Sequence, residues 1–158
     1  MSDTKDLTKL WNQNTKYLYE WPSLNILETF DNLHKDNEYL VSFHCTEFTS
    51  LCPKTGQPDF AEFHIMYIPD ERMIESKSLK LYLFAFRQSW EFHEDITNRI
   101  TKDIISKINP KYIYVYWDFT VRWWIAIKPM VEKIREDVKD RELEWYRFKV
   151  WQYLSQIK

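Results

Sequence analysis

Hydrophobic and polar residues alternate in two stretches of the first half of the chain. Apolar side chains occupy every second position between 39 and 45, and the same alternation returns between 60 and 68. A period of two is typical of β-strands that bury one face. The segment CPKTGQPD between them holds two prolines and the only glycine of the chain, which indicates a turn-rich loop. We therefore predict two antiparallel strands joined by a loop that carries Cys52.

The second half of the chain changes to helical spacing and then returns to strand-like runs. Apolar residues at positions 79, 82, 83 and 86 share one face of a helix, and an isoleucine stripe between 96 and 108 predicts a second helix beginning near His93. The runs YIYVY at 112–116 and IAI at 125–127 indicate two more strands. The order ββααββ predicts an α+β fold in which two helices cover one face of an antiparallel sheet.

The same pattern divides the chain into three segments. Residues 1–37 are polar and irregular, and we expect them to form an N-terminal arm over the domain surface. Residues 38–131 contain the predicted strands and helices, and we expect them to form the main folded domain. Residues 132–158 are highly charged, with apolar residues at roughly helical spacing, which predicts a surface helix in a C-terminal tail.

Charge and cysteine content narrow the possible functions. The chain has 22 Lys and Arg residues against 24 Asp and Glu, so it lacks the basic excess of a nucleic-acid-binding protein. No apolar run is long enough to span a membrane, and the N-terminus lacks the apolar core of a signal peptide. We therefore expect a cytoplasmic protein in which Cys45 and Cys52 are reduced thiols. Two cysteines cannot form a four-thiolate zinc site, and we expect no metal.

Cys52 is the first candidate for chemistry. The ammonium of Lys54, two residues later, would lower the pKa of this thiol if it lay nearby. Asp59 follows seven residues after the cysteine, and a loop that folds back would bring its carboxylate beside the sulfur. A thiol with an adjacent acid is the minimum for nucleophilic attack with proton delivery. A single loop cysteine is more often a spectator, so the spacing alone leaves both interpretations open.

Two further groups have both a structural and a functional interpretation. His93 and Glu94 begin the second predicted helix, where the helix dipole stabilises a glutamate. The same pair could hold the N–H groups of a ligand and move a proton. Lys77 and Lys80, three residues apart, belong either to a solvated helix start or to a phosphate-binding patch.

Three motifs become specific when they are taken together. They are EFTSLCPKTGQPDFA around Cys52, YIPDERMIESKSLKLYLFAFR from Tyr67, and FHE at 92–94. With them the chain resembles the bacterial 7-cyano-7-deazaguanine reductase (QueF) family, NADPH-dependent nitrile reductases of the queuosine pathway, from about Leu10 to Pro129. The resemblance implies the tunnelling fold (T-fold), which agrees with the predicted order of elements. It also implies a small-molecule deazapurine substrate, no direct contact with nucleic acid or membrane, and a homodecamer of two pentamers with active sites at subunit interfaces.

The resemblance also implies roles for individual residues. Cys52 resembles the nucleophile that attacks the nitrile carbon to form a covalent thioimide, and Asp59 resembles the acid that protonates the nitrogen. His93 and Glu94 resemble the substrate-holding pair, with His93 also assisting proton transfer. Two further residues are implied to contact the substrate, Glu75 and Ser76. The residues implied to contact NADPH are Lys77, Lys80, Tyr82 and Arg122.

Other functions of the same fold leave an alternative open. Zinc-dependent GTP cyclohydrolases need a Cys/His metal set, which the CPKTGQPD loop does not supply. An archaeal relative that amidates the nitrile on tRNA lacks the ESKSLKLY-type motif, which is intact here. A non-catalytic purine-binding module would keep His93 and Glu94 but lose the nucleophile or the acid. The alternative to the reductase is therefore a T-fold purine-binding or amidino-transferring relative without reductase activity.

The composition departs from the family pattern in one respect. The chain has one glycine and eight tryptophans, whereas average glycine usage of about 7% would give roughly 11 glycines. Five tryptophans stand where the resemblance leads us to expect glycine, and Trp21 is a possible sixth. We hypothesise that these positions are UGA codons for glycine translated as tryptophan, which would give seven glycines and two tryptophans. The five positions are Trp11, Trp90, Trp117, Trp123 and Trp124.

Overall fold

The fold is described by a computed structural model for residues 21–122 and 124–157. Six strands and three helices follow one another along this part of the chain, with short 3-10 turns at Leu24–Ile26 and Ala85–Gln88. The elements are β1 (Thr29–Asp31), β2 (Val41–Leu51), β3 (Pro58–Ile68), β4 (Arg72–Ile74), α1 (Ser76–Phe84), α2 (His93–Ile108), β5 (Tyr112–Phe119), β6 (Met130–Ile134) and α3 (Asp140–Gln156).

A four-stranded antiparallel sheet with the strand order β2-β3-β5-β6 forms the centre of the molecule. The hairpin of β2 and β3 pairs Leu51 with Pro58, so the loop between these two residues projects from one end of the sheet. The small β1–β4 ribbon lies apart from this sheet. This arrangement confirms the predicted α+β class and the antiparallel ββααββ order.

The fourth strand of the sheet is Met130–Ile134, and the predicted strand at 125–127 is wrong. Ile125 instead closes a tight turn, because its backbone exchanges hydrogen bonds of 2.9 and 3.1 Å with Arg122. The side chains of Ile125 and Ile127 are exposed. Alternating apolar residues predict a strand because one of its faces is normally buried. These two side chains are not buried, so the prediction fails here.

The main core lies between the sheet and the helices α1 and α2. Side chains from alternate positions of β3 and β5 point to this side, and the isoleucine stripe of α2 packs against them. Phe63 and Trp117 stack there with ring centroids 4.2 Å apart, and Ile100 is fully buried among the same residues. The apolar side chains that recur every second residue in the strands therefore pack against those that recur about every 3.6 residues in the helix.

The opposite face of the sheet is covered in part by α3. Tyr146 and Val150 of this helix pack on Met66, Ile68 and Tyr112 in a second cluster. The helix predicted in the tail therefore has one buried and one exposed face. Of the predicted arm, residues 1–20 lie outside the described residues, whereas Ile26 and Leu27 are buried in the main core. No helix among the described residues is long and apolar enough to cross a membrane.

Candidate active site

The loop that carries Cys52 is closed by its own backbone. The amide of Cys52 donates to the carbonyl of Gln57, and the amide of Gly56 donates to the carbonyl of Cys52, both at 2.9 Å. Gly56 has φ = 67°, a left-handed conformation in which a Cβ is strained. A Cβ at this position would also lie 3.1 Å from the indole of Trp90. The only glycine of the chain is therefore required by the turn that holds the cysteine.

The environment of Cys52 favours the thiolate. The hydroxyl of Thr55 is the main cause, followed by backbone amides of Lys54 and Thr55 and by the guanidinium of Arg122, and together they lower the pKa of this thiol to about 7. The Lys54 ammonium is not among these causes, so the predicted mechanism of the shift is replaced by one based on hydrogen bonds. Burial instead raises the pKa of the Cys45 thiol to about 11, so only Cys52 is suited to nucleophilic attack at neutral pH.

Asp59 lies close to this loop because β3 returns antiparallel to β2. Its backbone pairs with Ser50, and its side chain is only 3% exposed. One carboxylate oxygen, Oδ1, contacts Nη2 of Arg122, and the other, Oδ2, lies 3.1 Å from Nε2 of His93. The charge of a buried carboxylate must be balanced by partners of this kind. The sequence prediction that the loop folds back to bring Asp59 towards Cys52 is consistent with this pairing.

His93 is held by the start of α2 and by an aromatic side chain. It is the first residue of α2, and its ring stacks on Phe119 at the end of β5 with centroids 3.7 Å apart and an interplanar angle of 11°. Stacking fixes the ring plane, so Nε2 stays directed at Asp59. Glu94 follows in the first helical turn and is exposed to solvent. Its carboxylate is therefore accessible to a ligand at the same end of the sheet.

The ESKSLKLY motif begins at the other end of the sheet. The buried carboxylate of Glu75 caps α1 by accepting from the amides of Lys77 and Ser78 at 2.8 and 2.6 Å. The adjacent Ile74 amide donates to the hydroxyl of Tyr67. In the sheet, the backbone of Tyr67 lies opposite Val41 at the start of β2. Cys52 follows the far end of this strand, whose 11 residues extend over roughly 35 Å. A single chain therefore keeps Glu75 away from Cys52.

A cavity of about 350 Å³ lies between α1 and the outer edge of β2. Ser76 and Lys80 line it, together with Arg87, which the sequence analysis did not select. All three side chains are exposed, and two of them are cationic. The carboxylate of Glu47 lines the same cavity, so the charged lining has a net positive charge of one. Lys77 is half-buried beside them at the start of α1. Such a lining fits an anionic ligand.

Two residues of the predicted cofactor set are placed differently. The ring of Tyr82 is fully buried in the core and its hydroxyl donates to Asp103 at 2.5 Å, so the structure gives no support to a contact of Tyr82 with NADPH. Burial also raises the pKa of this phenol. Arg122 lies against Asp59 beside the Cys52 loop rather than in the cationic cavity. The turn from Arg122 to Ile125 explains this position, because it directs the side chain back over the start of β3.

Besides Arg87, two residues beside Cys52 and His93 were missed by sequence reasoning. Thr55 is part of the CPKTGQPD loop, and its position three residues after the cysteine was an available signal for a hydroxyl near the sulfur. Phe119 ends a strand whose apolar residues indicate only the core. Its stacking on His93 depends on how α2 crosses the sheet, and no local pattern encodes that.

The tryptophans in place of expected glycines can be followed at four of the six positions. Trp124 has φ = 69° and its side chain is 91% exposed. Trp117 fills the core, yet its Nε1 has no hydrogen-bond partner within the described residues. Trp21 and Trp90 are exposed. The other two, Trp11 and Trp123, lie outside the described residues.

The fold and these side chains together define a class: an antiparallel α+β protein with a low-pKa cysteine beside a buried carboxylate–histidine pair. The family model described as QueF-like protein matches residues 58–138. NADPH-dependent 7-cyano-7-deazaguanine reductase from Bacillus cytotoxicus is 55% identical over 145 residues, which is 92% of this chain and 87% of the relative. The enzyme of the same name from Bacillus cereus strain AH187 has the same identity and coverage. The chain belongs to the QueF family.

A solved structure supports the same fold. The crystal structure of the archaeosine synthase QueF-Like in the apo form superposes with a TM-score of 0.56 at 20% sequence identity. It covers 60% of this chain and 92% of that chain. The fold is thus the tunnelling fold predicted from the sequence.

Proposed function

We propose that this chain reduces the nitrile of 7-cyano-7-deazaguanine to the primary amine with two equivalents of NADPH, as a step of queuosine biosynthesis in the cytoplasm. The observation that carries the proposal is the low-pKa thiol of Cys52 beside the buried pair of Asp59 and His93. The relatives named NADPH-dependent 7-cyano-7-deazaguanine reductase, at 55% identity over most of both chains, support the choice of substrate and cofactor.

The chemistry starts with covalent attack by Cys52. A nitrile is a poor hydride acceptor, whereas a thioimide is a better one, so the enzyme divides a difficult reduction into easier steps. The sulfur bonds to the nitrile carbon, and one π bond of the nitrile opens towards nitrogen. The thiol proton passes to Asp59 and from Asp59 to that nitrogen, so thiol and nitrile combine without gain or loss of atoms.

His93 and Glu94 hold the substrate in this scheme. The ring of His93 keeps Asp59 oriented through its 3.1 Å contact and is itself fixed by Phe119. Glu94 presents an exposed carboxylate from the next position of α2, where it can accept from the N–H edge of the deazaguanine. Shape and charge at the start of α2 thus support a neutral heterocycle with donor groups.

The candidate residues for binding the cofactor are the cationic side chains that line the cavity beside α1. NADPH, when bound, supplies a hydride to the carbon centre in each of the two reductions. Lys80 and Ser76 line this cavity with Arg87, and Lys77 lies at the same helix start. These side chains fit the phosphates of NADPH, since ammonium and guanidinium groups both bind phosphate oxygens. Arg122 does not line this cavity. Any contact of Arg122 with the cofactor would be made from its position beside Asp59.

The separation of the two halves of the site supports an assembly. Glu75, the first residue of the ESKSLKLY motif, lies at the opposite end of β2 from Cys52 in one chain, so we expect a second copy to bring this end of the motif to a Cys52 loop. Within the described residues, β6 and, apart from the bridge between Leu51 and Trp90, β2 present outer edges that no strand covers, which suits strand pairing between subunits. We propose a homodecamer of two pentamers with active sites between subunits. Mixing equal amounts of inactive Cys52→Ala and Lys80→Ala subunits should then restore up to about a quarter of the activity. In a random mixture, about a quarter of the sites receive an intact Cys52 from one subunit and an intact Lys80 from its neighbour.

Covalent attack can be tested without the cofactor. Intact-mass spectrometry of the protein incubated with 7-cyano-7-deazaguanine alone should show one substrate added to each chain. The adduct should be absent from Cys52→Ala and present in Cys45→Ala, which removes the other thiol. An unmodified wild-type chain, or a modified Cys52→Ala chain, would contradict the proposed nucleophile.

A further inference from the structure

Arg122 occupies a position that its implied role in cofactor binding does not explain. Its backbone is fixed in the turn after β5, where its amide and carbonyl exchange hydrogen bonds with Ile125 at 3.1 and 2.9 Å. From there the side chain extends over the start of β3, is about three-quarters buried, and meets the Cys52 loop. A residue whose only task is to bind cofactor phosphates has no need of these contacts.

One nitrogen of Arg122 joins three parts of the catalytic loop. Nη2 contacts Oδ1 of Asp59, donates to the carbonyl of Pro58 at 2.9 Å and donates to the carbonyl of Gln57 at 3.3 Å. The same Gln57 carbonyl accepts from the amide of Cys52 at 2.9 Å. The guanidinium therefore connects the buried carboxylate to the backbone that positions the nucleophile.

We propose that Arg122 is a positioning residue for thioimide formation, which fixes Asp59 and the Cys52 loop relative to each other before any contact with the cofactor. This inference rests on the proposed function, because it assigns Arg122 to the covalent step of that reaction. It differs from the role implied by the family resemblance, in which the arginine acts only on NADPH phosphates.

The physical basis is the cost of a misplaced buried carboxylate. Asp59 is almost inaccessible to water, so its carboxylate depends on protein donors for hydrogen bonds and for a fixed orientation. Without Arg122, the imidazole of His93 is the one charged partner of this carboxylate within residues 21–122 and 124–157. Removal of the guanidinium also takes a positive charge from the Cys52 thiolate, because Arg122 contributes to the lowered pKa of that thiol. Both effects slow attack on the nitrile.

The two roles predict different behaviour when NADPH is absent. Adduct formation with the nitrile requires no cofactor, so a residue that binds only cofactor phosphates leaves its rate unchanged. A positioning residue changes both this rate and its dependence on pH. The test is therefore a time course of adduct formation by intact-mass spectrometry, without NADPH, across a range of pH, for wild type, Arg122→Gln and Arg122→Lys.

We expect Arg122→Gln to form the adduct at least about tenfold more slowly at neutral pH, consistent with loss of one buried charged contact. The midpoint of its pH profile should move upwards, because the thiolate loses a stabilising cation. Arg122→Lys should be intermediate, since an ammonium keeps the charge but not the planar geometry. As a control, Arg147→Gln removes an arginine paired with Glu132 on the other side of the sheet and should match wild type.

The outcomes separate this inference from the proposed function. A wild-type chain that forms no adduct contradicts the proposed function, and iodoacetamide alkylation of Cys52 across pH then measures the effect of Arg122 on the thiol directly. A wild-type chain that forms the adduct while both Arg122 variants match its rate and pH profile overturns the positioning role. If Arg122→Gln does not fold, as judged by its melting curve, the comparison of Arg122→Lys with wild type decides.

Discussion

The Oδ2 atom of Asp59 lies 3.1 Å from Nε2 of His93, which places a buried carboxylate–imidazole pair at the end of the sheet that holds Cys52. The contact joins residues 34 positions apart in sequence, through the start of β3 and the start of α2. Because the carboxylate is buried and the imidazole is stacked on Phe119, the pair has little freedom to reorient. The catalytic proposal depends on this fixed geometry more than on any single residue type.

Replacement of Asp59 separates proton transfer from thiol reactivity. Asp59→Asn should slow formation of the nitrile adduct by about 10²–10⁴-fold, the usual contribution of a general acid–base group. Alkylation of Cys52 by iodoacetamide should persist, because the hydrogen bonds that lower the pKa of the thiol come mainly from Thr55 and the loop backbone. Glu62→Gln, which changes an exposed carboxylate on the same strand, is the matched control. Equal loss of both reactions would point to a collapsed site instead.

Removal of the Thr55 hydroxyl should raise the pKa of the Cys52 thiol. The sign follows from the donor role of the hydroxyl, which stabilises the thiolate and holds the pKa near 7. In Thr55→Val the rate of iodoacetamide alkylation should therefore rise with pH at a higher midpoint than in wild type. Thr55→Ser keeps the donor and should keep the midpoint. An unchanged midpoint in the valine variant would contradict a role of the Thr55 hydroxyl in setting the pKa of the thiol.

The backbone at Trp124 favours glycine. A non-glycine residue in the left-handed region costs about 1–2 kcal/mol, and Trp124 has φ = 69°. Trp124→Gly should raise the melting temperature by roughly 2–4 °C for each kcal/mol recovered. Trp124→Ala, which removes the indole but keeps the Cβ, should gain less. The gene provides a second measurement, since UGA codons are expected at the positions of Trp11, Trp90, Trp117, Trp123 and Trp124. UGG codons there would reject the recoding hypothesis.

His64 should make stability depend on pH. Burial and the neighbouring His44, whose ring stacks on it at 4.1 Å, lower the pKa of His64 below its ordinary value of 6.5. A depressed histidine pKa stabilises the fold above the unfolded value, and that stability is lost as the pH falls through the folded value. The melting temperature should thus decrease on acidification below about pH 6.5, and less so in His64→Gln. His34→Gln, at an exposed position, should behave as wild type does.

Much of the fold could be predicted because its pattern is local. The bounds of α2 at His93 and Ile108 follow from an isoleucine stripe ended by Asn109 and Pro110, and the β2–β3 hairpin follows from alternation around a loop with proline and glycine. The run at 125–127 has strand-like composition but lies in a turn held by Arg122, and only its hydrogen bonds reveal this. Composition alone therefore does not predict the local structure where the chain turns outside the core.

The site was less predictable, because its contacts join distant segments. The motifs point to Cys52 and Asp59, and the β2–β3 hairpin brings both residues to the same end of the sheet. They gave no information on the direction of a side chain, so Tyr82 was assigned to the cofactor although it faces the core and bonds to Asp103. Arg122 was placed near phosphates for the same reason, whereas its turn directs it to Asp59.

The most direct test of the account is the stoichiometry of the complete reaction. Purified protein should oxidise two NADPH for each 7-cyano-7-deazaguanine converted to the amine, as followed by the loss of nicotinamide absorbance and by mass spectrometry of the product. Cys52→Ala should oxidise none in response to the nitrile. A folded, oligomeric wild-type sample that shows no substrate-dependent oxidation of NADPH would contradict the central claim.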